Sequence, residues 1–256
     1  MRETRTGRIL PLVIVVPAVA PLLVLPLQAV ADVWRAPALL PQRAGTRGVD
    51  WLMAPGARVA AAVGTSLVVA LTATATGLVL AWSAARALAR LGRQSRTVVL
   101  AVIVAPLLVP GFATGTGLAT WFLRLGLADS VAGLVAAHLV YVLPYVVLVL
   151  APAFDDELRR LEEAARTAGA GTVVRLRLVT VPAVARPLAV AALLGFVVSW
   201  SQYGTSLAVG GGRLTLPVVL LPFIGRDPQL AAVLSLVFLV PPLLALATVH
   251  ARWQRG

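Results

Sequence analysis

The chain has no cysteine and no lysine among its 256 residues, and only ten acidic residues. Without cysteine, these residues form no disulfide and offer no thiolate nucleophile or metal ligand. Without lysine, they cannot contain the Gly-Lys-Ser/Thr segment of a phosphate-binding P-loop. Any ATP-driven process that involves this chain therefore needs an ATPase on another polypeptide.

Motifs of several enzyme classes are missing as well. The two histidines, His138 and His250, do not begin a His-Glu-x-x-His segment, and no carboxylate cluster accompanies either one. A metal site is therefore not expected. The sequence contains neither the Gly-x-Ser-x-Gly elbow nor the Gly-x-Ser-Gly segment of intramembrane serine proteases. We expect a chain that is not an enzyme and binds no cofactor itself.

Charged residues are scarce and apolar residues abundant. Hydrophobic residues make up 59% of the chain, charged residues 12%, and the mean hydropathy is +0.92. A soluble domain carries about a quarter charged residues, so the composition indicates a polytopic membrane protein. The net charge of +12 raises the question of nucleic acid. The arginines are scattered between apolar runs, however, which favours cytoplasmic loops and anionic lipid instead.

Apolar runs predict an all-α membrane protein in one domain covering residues 1–256. The six predicted spans cover about residues 9–31, 59–83, 98–123, 131–152, 187–206 and 230–249. A cleaved signal peptide is the alternative to the first span, because a basic start and an apolar run lead to Ala29, Val30 and Ala31. Residues 32–57 are predicted as a polar loop and 84–97 as a basic loop. The proline-broken run within 209–229 favours a re-entrant or interfacial segment.

The distribution of arginine predicts the orientation. With both termini on the cytoplasmic side, the inner segments contain fifteen arginines and the outer segments seven. Arginine accumulates on the cytoplasmic side of membrane proteins. We therefore expect both termini and residues 155–181 in the cytoplasm of a cell whose plasma (inner) membrane holds the protein.

Residues 155–181 form the coupling segment, the longest interval between spans on the arginine-rich side. Apolar residues recur there at spacings of three, four and three, which places them on one helix face: Leu158, Leu161, Ala165 and Ala168. Opposite charges four residues apart, such as Glu162 and Arg166, predict pairs on the other faces. Gly169 stands where a helix often ends in a left-handed residue. A helix, a turn and a second short helix are predicted.

The coupling segment resembles the EAA loop of binding-protein-dependent ABC importer permeases. The residues that carry the resemblance are Glu163-Ala164-Ala165, Gly169 and Val179-Thr180-Val181-Pro182, at the family's spacing. Val179 and Val181 stand where the family has Ile and Leu. The resemblance extends over about residues 58–251. It implies that the segment, including Glu162, is a coupling helix docked on an ATPase subunit.

The same resemblance implies the partners. They are ATPase subunits that use the ATP, a second permease that is identical or homologous, and an extracytoplasmic substrate-binding protein. On the docked helix we expect Glu163 to face a polar groove of the ATPase, with Leu158, Leu161 and Ala165 in an apolar one. The stretch SWSQYGTSLAVGGGRLTLPV is similar to permeases that serve polyamines, thiamine, ferric iron or sulfate-type anions, which leaves the substrate open.

Polar side chains inside predicted spans are candidates for the substrate path, because burying them in a membrane is costly. His138 and Tyr141 share one face of the fourth span, and Gln202 and Tyr203 lie in the fifth. Hydrogen bonds between helices and aromatic anchoring at the membrane surface are the alternative explanation.

An ion-gradient-driven secondary transporter is the alternative function. Such a transporter usually carries acidic residues inside its spans as ion or proton relays. All ten acidic residues here lie outside the predicted spans or at their edges. The sequence therefore favours the ATP-driven importer.

Overall fold

The computed structural model describes residues 19, 20, 22–54, 56 and 58–254. Residues 22–29 are helical. Two short strands, β1 (Ala31–Val33) and β2 (Arg43–Ala44), then pair antiparallel, and helix α1 (Arg47–Met53) follows. The all-α prediction is confirmed apart from this small ladder, which lies in the predicted polar loop.

Eleven further helices follow α1 in the described residues. The first four are α2 (Val59–Leu88), α3 (Arg93–Val104), α4 (Gly111–Arg124) and α5 (Val131–Leu150). The next four are α6 (Asp156–Thr167), α7 (Thr172–Arg175), α8 (Val181–Ala183) and α9 (Ala185–Trp200). The last three are α10 (Gly204–Val209), α11 (Leu216–Leu220) and α12 (Pro228–Trp253). Short 3₁₀ turns cover Ala105–Leu108, Ala151–Ala153 and Leu221–Phe223, and Leu176–Thr180 is a π-helical turn.

Three helices of the described residues are long and apolar enough to cross a membrane: Val59–Leu88, Val131–Ala153 and Pro228–Ala251. Two bent pairs also qualify, Arg93–Leu108 with Gly111–Arg124 at 96° and Thr172–Ala183 with Ala185–Trp200 at 69°. Counting each pair as one span gives up to five. The predicted first span, 9–31, lies mostly outside the described residues, so the count of six stays a prediction.

Two helix ends differ from the predicted span boundaries. Helix α2 continues to Leu88 instead of ending at residue 83, because the alanine-rich start of the predicted basic loop 84–97 has high helix propensity. The predicted span 187–206 instead ends at Trp200. The Ser201 N–H still bonds the Val197 carbonyl at 3.0 Å, but the next N–H, of Gln202, bonds the Ser199 carbonyl three residues back at 3.2 Å as the helix ends. Gln202 therefore lies in the connection between α9 and α10.

The predicted span 98–123 is also broken. Val109 is extended, with φ −100° and ψ 129°, and Pro110 caps helix α4. A residue that precedes proline is driven out of the helical region by the proline ring. The 96° bend between α3 and α4 follows from this one step of the backbone.

One compact unit of the chain consists of residues 61–218 and 242–256. Its largest apolar core joins α2, α5, α6 and α9, with Ala81, Val146 and Ala191 fully buried. Glycine lets these helices approach closely. A Cβ on Gly77 would lie 2.9 Å from a methyl carbon of Val142, a distance at which one of the two would have to move.

Helices α4 and α10 of this unit also meet through glycine. A Cβ on Gly115 would lie 2.8 Å from the Ala208 Cβ, and one on Gly204 would lie 2.5 Å from the Phe112 nitrogen. The two backbones are therefore close enough that no side chain fits between them. This contact sets the position of the connection that carries Gln202.

A second compact unit consists of residues 1–60 and 219–241, in the part that is described. Arg47 donates two hydrogen bonds to Asp227, at 2.6 and 2.8 Å, and a third to the Gln229 amide oxygen at 3.0 Å. Gln229 in turn donates to Asp32 at 3.1 Å. The Arg47 guanidinium lowers the pKa of Asp227 below its ordinary value. This chain of bonds joins α1 to the start of α12.

Candidate functional site

Helix α6 of the coupling segment begins with a side-chain cap. The Asp155 Oδ1 accepts a hydrogen bond from the Leu158 backbone N–H at 2.9 Å. Asp156 and Glu157 stand in the first turn, where the helix dipole favours negative charge. A capping aspartate of this kind typically contributes about 1 kcal/mol to helix stability. The start of the helix is therefore fixed by its own sequence.

The end of helix α6 is equally well defined. Gly169 has a φ of +83°, which confirms the left-handed conformation predicted for it. Its N–H donates to the Arg166 carbonyl at 3.0 Å, and the Ala170 N–H donates to the Ala165 carbonyl at 2.9 Å. These two bonds make a Schellman motif, which satisfies carbonyls that the helix end leaves free. Helix α7 begins three residues later.

Three side chains from separate parts of the chain meet beside helix α6 and are called the Glu162 cluster: Arg86, Glu162 and Thr180. The Glu162 Oε1 accepts from the Arg86 guanidinium. The same oxygen accepts from the Thr180 hydroxyl at 2.5 Å. Arg86 lies in the last turn of α2, and Thr180 ends the π-helical turn. Glu162 thus contacts residues that lie before and after helix α6 in the sequence. These contacts replace the predicted pair between Glu162 and Arg166.

Aromatic rings support the Arg86 side of this cluster. The Arg86 guanidinium lies 5.8 Å from the centre of the Phe154 ring, within the range of a cation–π contact. Phe154 packs edge-on against Trp82, with ring centres 5.1 Å apart. These ring contacts therefore hold the Arg86 side chain in position to bond Glu162.

The other predicted coupling residues have different surroundings. Glu163, Ala164, Gly169 and Pro182 are exposed and Ala165 is half-buried. The expectation that Leu158 faces a partner is wrong, because its side chain is only 5% exposed and belongs to the chain's own core. Leu161 is 48% exposed. The apolar face of helix α6 therefore has two parts: Leu158 packs in the chain's own core, and Leu161 is accessible.

Pro182 is the second residue after the π-helical turn, which ends at Thr180. Proline lacks an N–H and its ring crowds the carbonyl four residues earlier. A π-helical turn widens the helix by one residue and is often found at functional positions. The Thr180 hydroxyl reaches the Arg175 carbonyl at 3.4 Å across this turn. Thr180, at the end of this turn, lies beside Glu162, and the 69° bend into α9 follows at Val184.

Within the same unit, three polar side chains are buried between α5, α9 and α10: His138, Ser199 and Ser206. Together with the Gln202 backbone carbonyl they are called the His138 cluster. The His138 Nδ1 is 2.8 Å from the Ser199 Oγ, and its Nε2 is 2.9 Å from the Ser206 Oγ. The Ser206 hydroxyl donates to the Gln202 backbone carbonyl at 2.8 Å. Because that hydroxyl has one proton, it accepts from Nε2–H, and in the neutral ring Nδ1 accepts from Ser199.

Tyr141 stabilises the break between α3 and α4. Its hydroxyl donates to the Val109 carbonyl at 2.8 Å and is also 2.8 Å from the Thr114 Oγ1. A Cβ on Gly111 would lie 3.9 Å from this hydroxyl and 3.7 Å from the Gln202 Oε1. The structure therefore brings Tyr141 and Gln202, which sequence analysis placed in different spans, to one place beside Gly111.

Gln202 and Tyr203 are both half-buried. The Gln202 Oε1 accepts from the Thr205 hydroxyl at 3.2 Å, so one side of its amide is used within the chain. His138, at 2% exposure, and Tyr141, at 7%, are buried with partners in the chain. Gln202 and Tyr203 are the more accessible members of the predicted path.

Sequence reasoning missed the role of two glycine patterns. Gly111 and Gly115 are four residues apart, the spacing of small residues at close helix contacts in membranes, and this signal predicts the α4–α10 contact. The Gly210–Gly212 run lies against Asp129. The Gly212 N–H donates to Asp129 at 3.0 Å, and Gly211 has a φ of +55°. No spacing in the sequence links Asp129 to these glycines.

Metal binding has no candidate in the described residues. Among residues 19–254, apart from residues 21, 55 and 57, no three side chains of His, Asp or Glu come close enough to hold an ion. The two clusters described above use hydrogen bonds and one ion pair instead.

Long apolar helices, a buried neutral hydrogen-bond network and a capped amphipathic helix define a multi-spanning helical membrane protein. Residues 76–255 match the family described as binding-protein-dependent transport system inner membrane component. The match covers more than half of the chain, and the chain belongs to this family.

Individual relatives agree with this family. The chain is 42% identical over 106 residues to the ABC transporter permease protein ORF1 of Streptomyces antibioticus, a match that covers 41% of this chain and 46% of that protein. It is 30% identical over 186 residues to the putrescine transport system permease protein PotI of Escherichia coli K12, covering 69% of this chain and 66% of that protein. The chain thus matches about half to two thirds of these relatives.

A solved structure shares the fold over nearly the whole chain. It comes from a bacterial ABC transporter involved in the import of the acidic polysaccharide alginate, and it has a TM-score of 0.70. The match covers 98% of this chain and 99% of that chain at 16% identity. At this identity the similarity establishes the fold alone.

Proposed function

We propose that this chain is the membrane-spanning permease subunit of an ATP-driven importer. The observation that carries the proposal is the family match over residues 76–255, together with a capped amphipathic helix at the position of the EAA pattern. The chain would form part of the substrate path, and a separate subunit would hydrolyse ATP. The absence of lysine supports this division, because a P-loop needs one.

The coupling segment is proposed to dock on the ATPase. Its exposed residues, which include Glu163 and Ala164, provide a polar contact, and half-exposed Leu161 provides an apolar one. Gly169 and Pro182 define where the segment turns back toward the membrane helices. Closure of the ATPase dimer would then move the attached helices as rigid bodies, a change between two discrete arrangements.

The substrate path is proposed to include Gln202 and Tyr203. Both are half-buried in the non-helical connection between α9 and α10, and irregular backbone at membrane depth occurs where it is buried in protein or lines a cavity. His138 supports this connection from α5 through Ser206, whose hydroxyl donates to the Gln202 carbonyl. Tyr141 holds the neighbouring break between α3 and α4 through the Val109 carbonyl. Their role in the proposal is to hold the path in shape.

The orientation is proposed from arginine alone. Both termini and the coupling segment face the cytoplasm, and the binding protein acts on the opposite side. The experiment is a Thr167→Cys variant, which carries the chain's only thiol. A membrane-impermeant reagent should leave it unlabelled in intact cells and label it after lysis. Labelling in intact cells contradicts the orientation.

The substrate is not assigned by the fold. One relative is named for putrescine, a dication, and the structural neighbour for an acidic polysaccharide. Chains with this fold therefore serve substrates of opposite charge. Thermal-shift screening of the cognate binding protein against small ligands is the direct route to the substrate, because that protein selects it first.

The decisive experiment is uptake by the reconstituted complex of permease, ATPase and binding protein. We expect uptake to require ATP on the side of the membrane where the ATPase lies. We also expect uptake to persist when ion gradients are collapsed. Uptake that stops on collapse of the gradients, with or without ATP, would establish the secondary transporter instead.

A further inference from the structure

We propose that Glu162 is a positioning residue that ties the coupling segment to two membrane helices, α2 and α9. This inference rests on the proposed importer function. It assigns to Glu162 a contact inside the chain, whereas its neighbour Glu163 stays available to a partner. The Glu162 cluster is the structure that carries it.

The first observation is that Glu162 is held from both sides. Arg86 lies 76 residues before it and Thr180 lies 18 residues after it, and both donate to the same carboxylate oxygen. The Glu162 side chain is 19% exposed and that of Arg86 36%. Glu163, the next residue in the sequence, is exposed. Adjacent carboxylates in one motif therefore have different surroundings.

The second observation is where the two donors lie. Arg86 is in the last turn of α2, and its guanidinium is fixed over the Phe154 ring. Thr180 is 1% exposed and ends the π-helical turn, after which only α8 separates it from α9. Glu162 thus joins helix α6 to the ends of two helices that belong to candidate spans.

The third observation is how little else holds this part of helix α6. Leu158 anchors the first turn in the core, but Leu161 is 48% exposed and a Cβ on Gly169 would meet nothing within 4 Å. Beyond the first turn, the hydrogen bonds of Glu162 to Arg86 and Thr180 are the side-chain hydrogen bonds that join helix α6 to other elements in the described residues. A force on the helix therefore reaches α2 and α9 through this side chain.

The main test is the Glu162→Gln variant in the reconstituted complex. Its amide oxygen still accepts from Thr180 but loses the charge that binds Arg86. We expect normal co-purification of the ATPase, continued ATP hydrolysis, and a rise of about tenfold in ATP consumed per substrate imported, because a hydrogen bond to a charged group typically contributes the free energy of a tenfold change. An unchanged ratio overturns the proposal. Lost co-purification also overturns it, since it would place Glu162 at the ATPase interface.

A pair of Thr180 variants gives an independent measurement that does not depend on the folding of Glu162→Gln. Thr180→Ser keeps the hydroxyl, and Thr180→Val keeps the shape without it. We expect the valine variant to raise the ATP consumed per substrate and the serine variant to retain the original ratio. Equal ratios in the two variants contradict the role of the cluster.

Arg159→Gln is the matched control. It breaks the Arg159–Asp156 pair on the same helix, whose side chains are 60% and 77% exposed, and the ratio should not change. The wild-type complex separates this inference from the proposed function. A wild type without ATP-dependent uptake removes the importer function, whereas a coupled wild type and an equally coupled Glu162→Gln variant remove only the inference.

Discussion

The coupling segment and the His138 cluster accommodate polar side chains in opposite ways. The coupling segment carries charged side chains, most of them exposed, and buries one carboxylate against an arginine and a hydroxyl. The His138 cluster lies between helices of candidate spans and consists of neutral groups whose hydrogen bonds close on one another. In the coupling segment, charged side chains lie near water or a counter-charge. In the His138 cluster, the hydrogen-bond donors and acceptors are neutral.

The difference has a physical cause. A charge taken out of water loses its hydration, and only a close counter-charge with further hydrogen bonds compensates for that loss. A serine or histidine loses much less, provided that each donor and acceptor finds a partner. The two regions should therefore respond differently to substitution, the first through its contacts with other subunits and the second through the stability of the fold.

The largest effect is expected at Gly169. The Gly169→Val change forces a β-branched residue into a φ of +83°, at a cost on the order of 1–2 kcal/mol. The helix end should lose its Schellman motif, so ATPase co-purification should fall and uptake should cease. Because Gly169 is exposed, the amount of permease in the membrane should stay normal, as measured by blotting of membrane fractions.

The control for this variant is Gly171→Val. Gly171 also has nothing within 4 Å of a Cβ, but its φ is −64°, which valine accepts. The two variants therefore differ in backbone strain and not in available space. Full co-purification and uptake in Gly169→Val would remove the coupling role from the segment, and loss of the protein from the membrane would assign Gly169 to folding. The Glu163→Lys variant should give the same result more weakly.

A second effect, on stability rather than coupling, is expected at His138. The His138→Leu change leaves the buried Ser199 hydroxyl without its ring partner, which costs about 1–3 kcal/mol. The midpoint of thermal unfolding in detergent should fall, while uptake per folded molecule should be retained. Ser201→Ala, at an exposed hydroxyl that bonds its own helix, is the control and should have little effect.

The opposite result at His138 would contradict the expected difference between the two regions in their response to substitution. An unchanged unfolding midpoint with reduced uptake would show that His138 serves the substrate path and not the stability of the fold. It would then belong to the path, together with Gln202, and would no longer be a purely internal bridge.

A third, smaller effect is expected at Gln202. Replacing Gln202 with Leu removes one neutral hydrogen-bonding group of about 1 kcal/mol, so uptake should fall about fivefold. Membrane abundance should not change, because the side chain is half-buried and its one bond within the chain, to Thr205, is 3.2 Å long. Uptake that is unchanged at every substrate concentration would make Gln202 a structural residue only.

The smallest effect is expected at Asp227, which extends the comparison to a third region. Arg47 lowers the pKa of Asp227 below the ordinary value of 3.8, so the ionised pair stabilises the fold above that pH and loses its contribution as pH falls through the lower, folded-state pKa. Asp227→Asn should lower the unfolding midpoint at pH 7 by an amount equivalent to less than about 1 kcal/mol, because the pair is partly exposed. The difference from wild type should narrow only below pH 3.8.

The matched control at this position is Asp50→Asn. Asp50 accepts one exposed hydrogen bond from Thr46 and has no comparable arginine partner among its described contacts. The difference in unfolding midpoint between Asp227→Asn and wild type should not disappear well above pH 3.8. If it does, the pKa of Asp227 is not lowered in the folded protein.

Local features of the coupling segment were predictable because they depend on neighbours in sequence. The start of helix α6 and the left-handed Gly169 both follow from residues within one turn. The burial of Leu158 was not predictable, since periodicity identifies an apolar face without saying what covers it. The Arg86–Glu162 pair was missed for the same reason, because 76 residues separate its members.

Span positions were predicted less well where proline or polar residues interrupt an apolar run. Hydropathy averages over a window and therefore passes over Val109 and Pro110, where the backbone leaves the helix for two residues. The predicted fifth span likewise continues past Trp200, where helix α9 ends. The long uninterrupted helices α5 and α12 were located to within a few residues.

The Arg86–Glu162 pair also has a consequence for how the protein is made. At about 5–20 residues per second, a ribosome needs roughly 4–15 s to add the residues that separate the two positions. During that interval Arg86 has not yet met its carboxylate, and it stands as a positive charge at the end of a newly inserted helix. In the proposed orientation it first keeps that end in the cytoplasm during insertion. Only later, when Glu162 emerges, does the same guanidinium become part of the finished structure.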